Sequence, residues 1–237
     1  MTAQQKIDDA AARRQTELDL IGMELTSLPN ISHLTSLQIL HVTNNKLHTL
    51  PSLPLGLRIL QISSNKLQSL PDISHLTSLQ VLTAHDNKLQ TLPDLPSGLQ
   101  AMTVYDNCLQ TLPDISHLTT LQDLHVINNC LQSLPTLPPN LLGVYLSNNN
   151  IHTLPDLSHL TKLYFIDTYC NPITQSHINN INHPLLRDKL IFNQRDIDAF
   201  NTAVGLFTNK STYFSLLPRD VINIINMYIS YVPATLI

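Results

Sequence analysis

The chain has 237 residues, 43% of them hydrophobic and 13% charged, which is too apolar for disorder and enough to build a continuous core. Its formal net charge of −4 and pI near 6.2 supply no general attraction to phosphate backbones or anionic lipid, so neither nucleic acid nor a membrane is expected as partner. With 15 Pro, 5 Gly and no Trp, its turns are made by proline and asparagine.

The opening residues, MTAQQKIDDAAARRQTELD, lack the apolar stretch of a secretory signal peptide. No later segment is long and apolar enough to span a bilayer, so a soluble chain made in the cytosol is expected. Residues 3–15, AQQKIDDAAARRQ, are rich in helix formers and predict a short helix. That helix, within a cap of residues 1–16, is expected to cover the open apolar end of the segment on its carboxyl side.

Residues 17–173 repeat. The pattern LxxLxLxxNxL recurs with its asparagine at Asn45, Asn65, Asn87, Asn107, Asn129, Asn149 and Asn171, at spacings that alternate between 20 and 22 residues. The true unit is therefore a pair of 42 residues, and there are seven full copies. A degenerate copy, TELDLIGMEL, comes first, with Met23 in place of the asparagine, as is common in a terminal repeat. In the first full copy Leu37, Leu40, Val42 and Leu47 are predicted to point inward. Leu121, Leu124, Val126 and Leu131 are their equivalents four copies later. Each inward leucine stabilises the stack by roughly 1.5 to 3 kcal/mol when fully buried. The LxL portion alternates with period two and predicts one short strand per coil, paired in parallel with its neighbours about 4.8 Å away. The asparagine falls where the chain leaves the strand, and its amide can satisfy backbone groups of its own and the adjacent coil.

The two repeat lengths differ only on the side away from the strands. The longer copies carry ISHLTSL, ISHLTSL, ISHLTTL and LSHLTKL there, and the shorter ones carry LPLGL, LPSGL and LPPNL. Proline favours extended geometry, so at most a turn of helix is expected on that convex side.

These residues resemble a known family. The string LxxLxVxxNxLxxLPxLPxxL, with its LP doublets and 20 to 22 residue spacing, looks like the short bacterial leucine-rich repeat of secreted effectors of the YopM and IpaH type. The longer copies are similar to a variant found in regulatory repeat proteins. The resemblance implies an α/β leucine-rich-repeat solenoid, with a curved parallel sheet on its concave face, a mostly extended convex side, and helical caps at both ends. It also implies a bacterial protein exported to the host cytoplasm to engage a host protein. The ubiquitin-ligase domain of the IpaH type is not expected, since no CxD triplet occurs.

Catalysis finds no motif. There is no P-loop, GxSxG elbow, HExxH or dinucleotide turn, so no enzyme and no cofactor are expected. His33, His75, His117 and His159 recur every 42 residues but lie about 10 Å apart two coils on, too far to share a metal ion. Cys108 and Cys130 hold the same position in adjacent coils, about 5 Å apart, which permits a disulfide. A reducing compartment favours the free thiols.

Function is placed on the concave face. Strand positions three, five and seven of each unit face outward there, together with the turn after them. They include His41, Gln61, Thr83, His85, Asp86, Thr103, Tyr105, Asp106, Asp123, His125, Tyr145, Phe165, Asp167 and Tyr169. Tyrosine and histidine offer rigid area with a polar tip, as favoured at interface centres, and His85, Tyr105, His125 and Tyr145, at exposed positions on neighbouring coils, are expected to form one contiguous patch. The acidic groups suggest a protein partner with a Lys- or Arg-rich segment. The bland alternative is that these are only solvated strand positions.

From residue 174 the pattern becomes helical. HPLLRDKLIF, QRDIDAFNTAVGLF and LLPRDVINIINMYISYV read as helices of a cap spanning 174–237. Within the last, Leu217, Pro218, Asp220, Val221, Ile222, Ile225, Tyr228 and Ile229 resemble the opening helix of an F-box. That implies docking to a Skp-type adaptor of ubiquitin ligases, whereas capping of the last coil is the plain alternative. The overall expectation is a monomeric, non-enzymatic protein-binding scaffold, with the ubiquitination adaptor as second reading.

Overall fold

A computed structural model describes residues 1–174 of the chain. The helical segments expected beyond residue 174, the F-box-like one included, lie outside the described residues.

Helix α1 spans Ala3–Ala12. Thr2 caps its start: the Thr2 hydroxyl accepts from the Gln5 backbone N–H at 3.2 Å, and the Gln5 side chain accepts from the Thr2 N–H at 2.8 Å. This reciprocal pair satisfies two otherwise orphaned donors. Ala3, Ile7 and Ala10, at helical spacing, turn to the core. The expected run to residue 15 is cut short because Arg14 flips to the left-handed region at φ 50°. There the Arg14 N–H reaches Ala11 O at 3.3 Å and the Gln15 N–H reaches Ala10 O at 2.9 Å, closing the helix end. Such an end usually places glycine where Arg14 sits.

Eight three-residue strands come next: β1 (Glu17–Asp19), β2 (Ile39–His41), β3 (Ile59–Gln61), β4 (Val81–Thr83), β5 (Ala101–Thr103), β6 (Asp123–His125), β7 (Gly143–Tyr145) and β8 (Phe165–Asp167). They pair in parallel in chain order, β1 to β8, in a single sheet. The central residue of every strand, from Leu18 and Leu40 to Val144 and Ile166, is buried. All eight inward residues named from the two sample repeats are fully buried. The period-two alternation thus sends one side chain per strand into a continuous apolar column.

The asparagines hold the coils together. The Asn87 amide donates to Ile62 O of the preceding coil at 3.0 Å and to Ala84 O of its own at 3.2 Å, while its carbonyl accepts the Leu67 N–H at 3.0 Å. The same set recurs from Asn45 to Asn171. Immediately before each asparagine stands a left-handed residue: Asn44, Ser64, Asp86, Asp106, Asn128, Asn148 and Cys170, with φ between 51° and 58°. Asparagine and aspartate tolerate that conformation, which accounts for their frequency there.

On the far side the longer copies make two short turns, Ile31 O to the Leu34 N–H and Leu34 O to the Leu37 N–H, at 3.0 and 2.9 Å. Among the described residues no helix other than α1 is present. The Asn30 carboxamide and its counterparts Asp72, Asp114 and Asp156 each accept a serine N–H two residues on, at 2.9 Å, fixing the start of these turns.

Candidate interaction surface

Register aligns the outward side chains into rows across the sheet. One strand row reads Asp19, His41, Gln61, Thr83, Thr103, His125, Tyr145 and Asp167. A parallel row two residues earlier reads Glu17, Ile39, Ile59, Val81, Ala101, Asp123, Gly143 and Phe165. A third row lies just past the strands and includes Ser63, His85, Tyr105, Ser147 and Tyr169.

The carboxyl-terminal half of the sheet and the turns beside it carry packed rings. His85 lies on Tyr105 with centroids 4.4 Å apart and planes within 6°. One coil further, His125 lies on Tyr145 at 4.2 Å and 10°, and Tyr145 meets Phe165 at 5.1 Å and 39°. The four residues expected to form one patch occupy consecutive coils as two stacked pairs, His85 and Tyr105 in the row past the strands and His125 and Tyr145 in the strand row.

Tyr145 is not the exposed residue that its outward position predicts. It is only 7% exposed. The reason is Gly143, two residues earlier on the same face, where a Cβ would lie 2.9 Å from Tyr145 Cε2 and 2.8 Å from Asp123 Oδ1. The absent side chain lets the tyrosine ring fold back over the strand, between His125 and Phe165. A glycine two before a tyrosine in a strand was the available sequence signal.

Burial shapes the titratable groups. Desolvation holds the His85 imidazole below its ordinary value of 6.5, with Asp86 and Asp106 opposing the shift. Desolvation does the same at His125, opposed by Asp123. The Asp167 carboxyl is pushed above 3.8 by burial, against the backbone N–H of Tyr169, which donates to it at 3.0 Å. The Ser147 hydroxyl also donates to Asp167. Ser63, 2% exposed in the third row, has a hydroxyl with no hydrogen-bond partner among the described residues.

The histidine shifts have a testable sign. Below the ordinary value of 6.5 the unfolded chain takes up protons at both imidazoles while the fold still resists them. The stability present above that value is lost as pH falls through the lowered folded values. Denaturant midpoints should drop between about pH 7.5 and about pH 5.5, and a His85→Phe/His125→Phe double variant should drop less. Equal slopes for the two proteins would sink the assignment. Asp167 acts oppositely and further down, since a carboxyl raised by folding gains relative stability once it is protonated.

The remaining expected residues fall around this centre. His41 Nδ1 lies 2.6 Å from Gln61 Oε1 and its Nε2 lies 3.3 Å from Glu17 Oε1, tying three strands at the amino-terminal end. Thr83 and Thr103 are half-buried neighbours in the strand row. Asp86 and Asp106 are exposed on the left-handed turns at the rim. Asp106 accepts from Asn128 at 2.6 Å, and Asn128 in turn accepts from Asn148 at 2.7 Å, an outer polar chain not foreseen from sequence.

Two of the four periodic histidines tie adjacent coils: His117 Nε2 and His159 Nε2 each sit 2.9 Å from a backbone carbonyl of the preceding coil, Leu95 O and Leu137 O. Among the described residues no group of three or more His, Cys, Asp or Glu is placed to hold a metal ion, and no helix is long and apolar enough to cross a membrane. Cys108, Cys130 and Cys170 are free and exposed.

No protein-family model matches the chain, and no curated protein matches it. Among solved structures it is similar to YopM, a leucine-rich effector protein from Yersinia pestis, at 33% identity and a TM-score of 0.62. That match covers 71% of this chain and 53% of YopM, so the chain spans about half of YopM's length. It is also similar to the leucine-rich-repeat domain of a Shigella effector, at 28% identity and a TM-score of 0.63, covering 73% of this chain and 77% of that one. The functional domain of InlJ from Listeria monocytogenes shares the fold at 23% identity and a TM-score of 0.51, over 70% of this chain and 47% of that one.

Proposed function

This chain is a leucine-rich-repeat protein similar to YopM and a Shigella effector, and from that premise we propose that it is a monomeric, non-enzymatic scaffold that binds a host protein on its sheet face. The observation that carries the reading is the two sets of packed rings on consecutive coils, His85 with Tyr105 and His125 with Tyr145 and Phe165. Rings already ordered by stacking lose little freedom when a partner covers them, and they combine apolar area with polar edges. Asp86 and Asp106, exposed at the rim, suit a partner segment carrying Arg or Lys. The similarity to bacterial effectors supports export and action in the host cytoplasm.

Tyr105 is the residue through which binding is best tested, since it is half-buried at the middle of the array with its ring held flat on His85. With the captured host protein purified, Tyr105→Ala should weaken binding in titration calorimetry by about 1 to 3 kcal/mol, the range of an interface anchor. His75→Ala, on the far side beside Asp72, should leave affinity unchanged. Full affinity in Tyr105→Ala, with binding abolished by deletion of residues 212–237, would replace this reading with the adaptor one resting on Leu217 to Tyr228.

A further inference from the structure

A second surface lies where the chain enters the first strands. A groove of about 610 Å³ is lined by Arg14, Thr16, Thr35, Ser36, Gln38, Gly56, Arg58, Ser78 and Gln80. Two guanidiniums and four hydroxyls line it, and no carboxylate does.

Three of its backbone acceptors are already used. The carbonyls of Thr16, Gln38 and Arg58 each accept two backbone N–H groups from the next coil, at 2.7 to 3.1 Å. The donors, in contrast, are largely unspent. Arg58 gives one hydrogen bond, to Gln80 Oε1 at 3.2 Å. The Arg14 guanidinium and the hydroxyls of Thr16, Thr35, Ser36 and Ser78 make no hydrogen bond or ion pair among the described residues. Thr120, the counterpart of Ser36 and Ser78 further along, is instead tied to Leu99 O at 2.6 Å. Of the carboxylates that line the adjoining hollow with Arg14, Asp9 pairs with Arg13 at 2.8 Å, Glu17 lies 3.3 Å from His41 and Asp19 accepts the Ile21 N–H at 2.9 Å.

Arg14 adds an independent observation. It occupies the left-handed position that ends α1, where glycine or asparagine is free of strain and arginine is not. From that position Arg14 lines the groove. Gly56 keeps the floor low, because a Cβ there would press Leu37 O at 3.2 Å and Thr35 O at 3.3 Å.

We propose that this groove is an anion site that takes a phosphate monoester, held by Arg14 and Arg58 with the surrounding hydroxyls. Two planar guanidiniums present paired donors to the oxygens of a tetrahedral dianion, and hydroxyls complete the shell. A carboxylate offers too few oxygens to use all of these donors. The site is separate from the stacked rings and does not depend on the reading given for them.

The test is an amide NMR titration of the full chain at constant ionic strength, with O-phospho-L-serine, inorganic phosphate and acetate as probes. Saturable shifts confined to Thr16, Ser36, Gln38 and Arg58 are expected with the two phosphates and not with acetate. Tighter binding of phosphoserine assigns the site to an esterified side chain, and tighter binding of inorganic phosphate assigns it to the free ion. Arg14→Asn and Arg58→Gln should each weaken binding at least about five-fold. Arg13→Gln, whose guanidinium is paired with Asp9, should not. Asparagine suits the left-handed position, so Arg14→Asn should keep or raise the melting temperature, and lost binding cannot then be lost folding. Shifts that stay linear, that follow acetate equally, or that persist in both variants overturn the proposal.

Discussion

Replacing Asn107 with alanine is expected to lower the free energy of unfolding by about 2 to 4 kcal/mol, because more than one buried backbone group loses its partner at about 1 to 3 kcal/mol each. The Asn107 carbonyl accepts the Leu89 N–H at 3.0 Å, and its amide reaches Ala84 O at 2.9 Å, Tyr105 O at 3.1 Å and Val104 O at 3.2 Å. The residue is 8% exposed, so water cannot replace these bonds in the folded chain. Leu89 and Ala84 belong to the preceding coil, which makes the loss one of contact between coils. Asn107→Asp should fare no better, since it keeps the acceptor but removes both donors and buries a charge. Equilibrium urea unfolding followed by circular dichroism measures the effect, and an unchanged midpoint would remove the ladder from the account of stability.

Tyr145→Ala should cost a comparable amount, about 2 to 4 kcal/mol, the range for deleting a buried aromatic ring. The ring leaves a gap over Gly143, and both His125 and Phe165 lose a stacking face. Tyr145→Phe keeps the ring and should cost much less. Gly143→Ala attacks the same arrangement from below, since its Cβ would displace the ring, and thermal unfolding should place it between the other two. A Tyr145→Ala protein as stable as the parent would return this residue to the exposed patch that the sequence suggests.

The repeat made most of the scaffold legible. Asparagine spacing located seven of the eight strands and the degenerate first copy the other, the LxL alternation identified Leu40 or Leu124 as inward, and the LP segments limited the far side to at most a turn of helix. Residues such as His85 and Tyr105 were placed on the correct face by the same alternation. What the pattern could not show is how outward side chains use the space between rows. The burial of Tyr145 depends on Gly143 beneath it and on Phe165 in the following strand, and that strand is 22 residues on by register. Nor did helix propensity reveal the end of α1, because the left-handed turn at Arg14 is set by backbone bonds back to Ala10 and Ala11 rather than by the arginine itself.

The asparagine amides reach back alternately by 25 and 23 residues, each to the coil just before and never further. One long and one short coil thus form a self-contained cassette whose two ends are interchangeable with those of the next. Duplicating or excising a cassette by recombination leaves each surviving junction of a kind already present, whereas losing a single coil sets two long or two short backs side by side. Natural length variants of this protein should accordingly differ by whole multiples of 42 residues, and each added cassette widens the outward face by two strands.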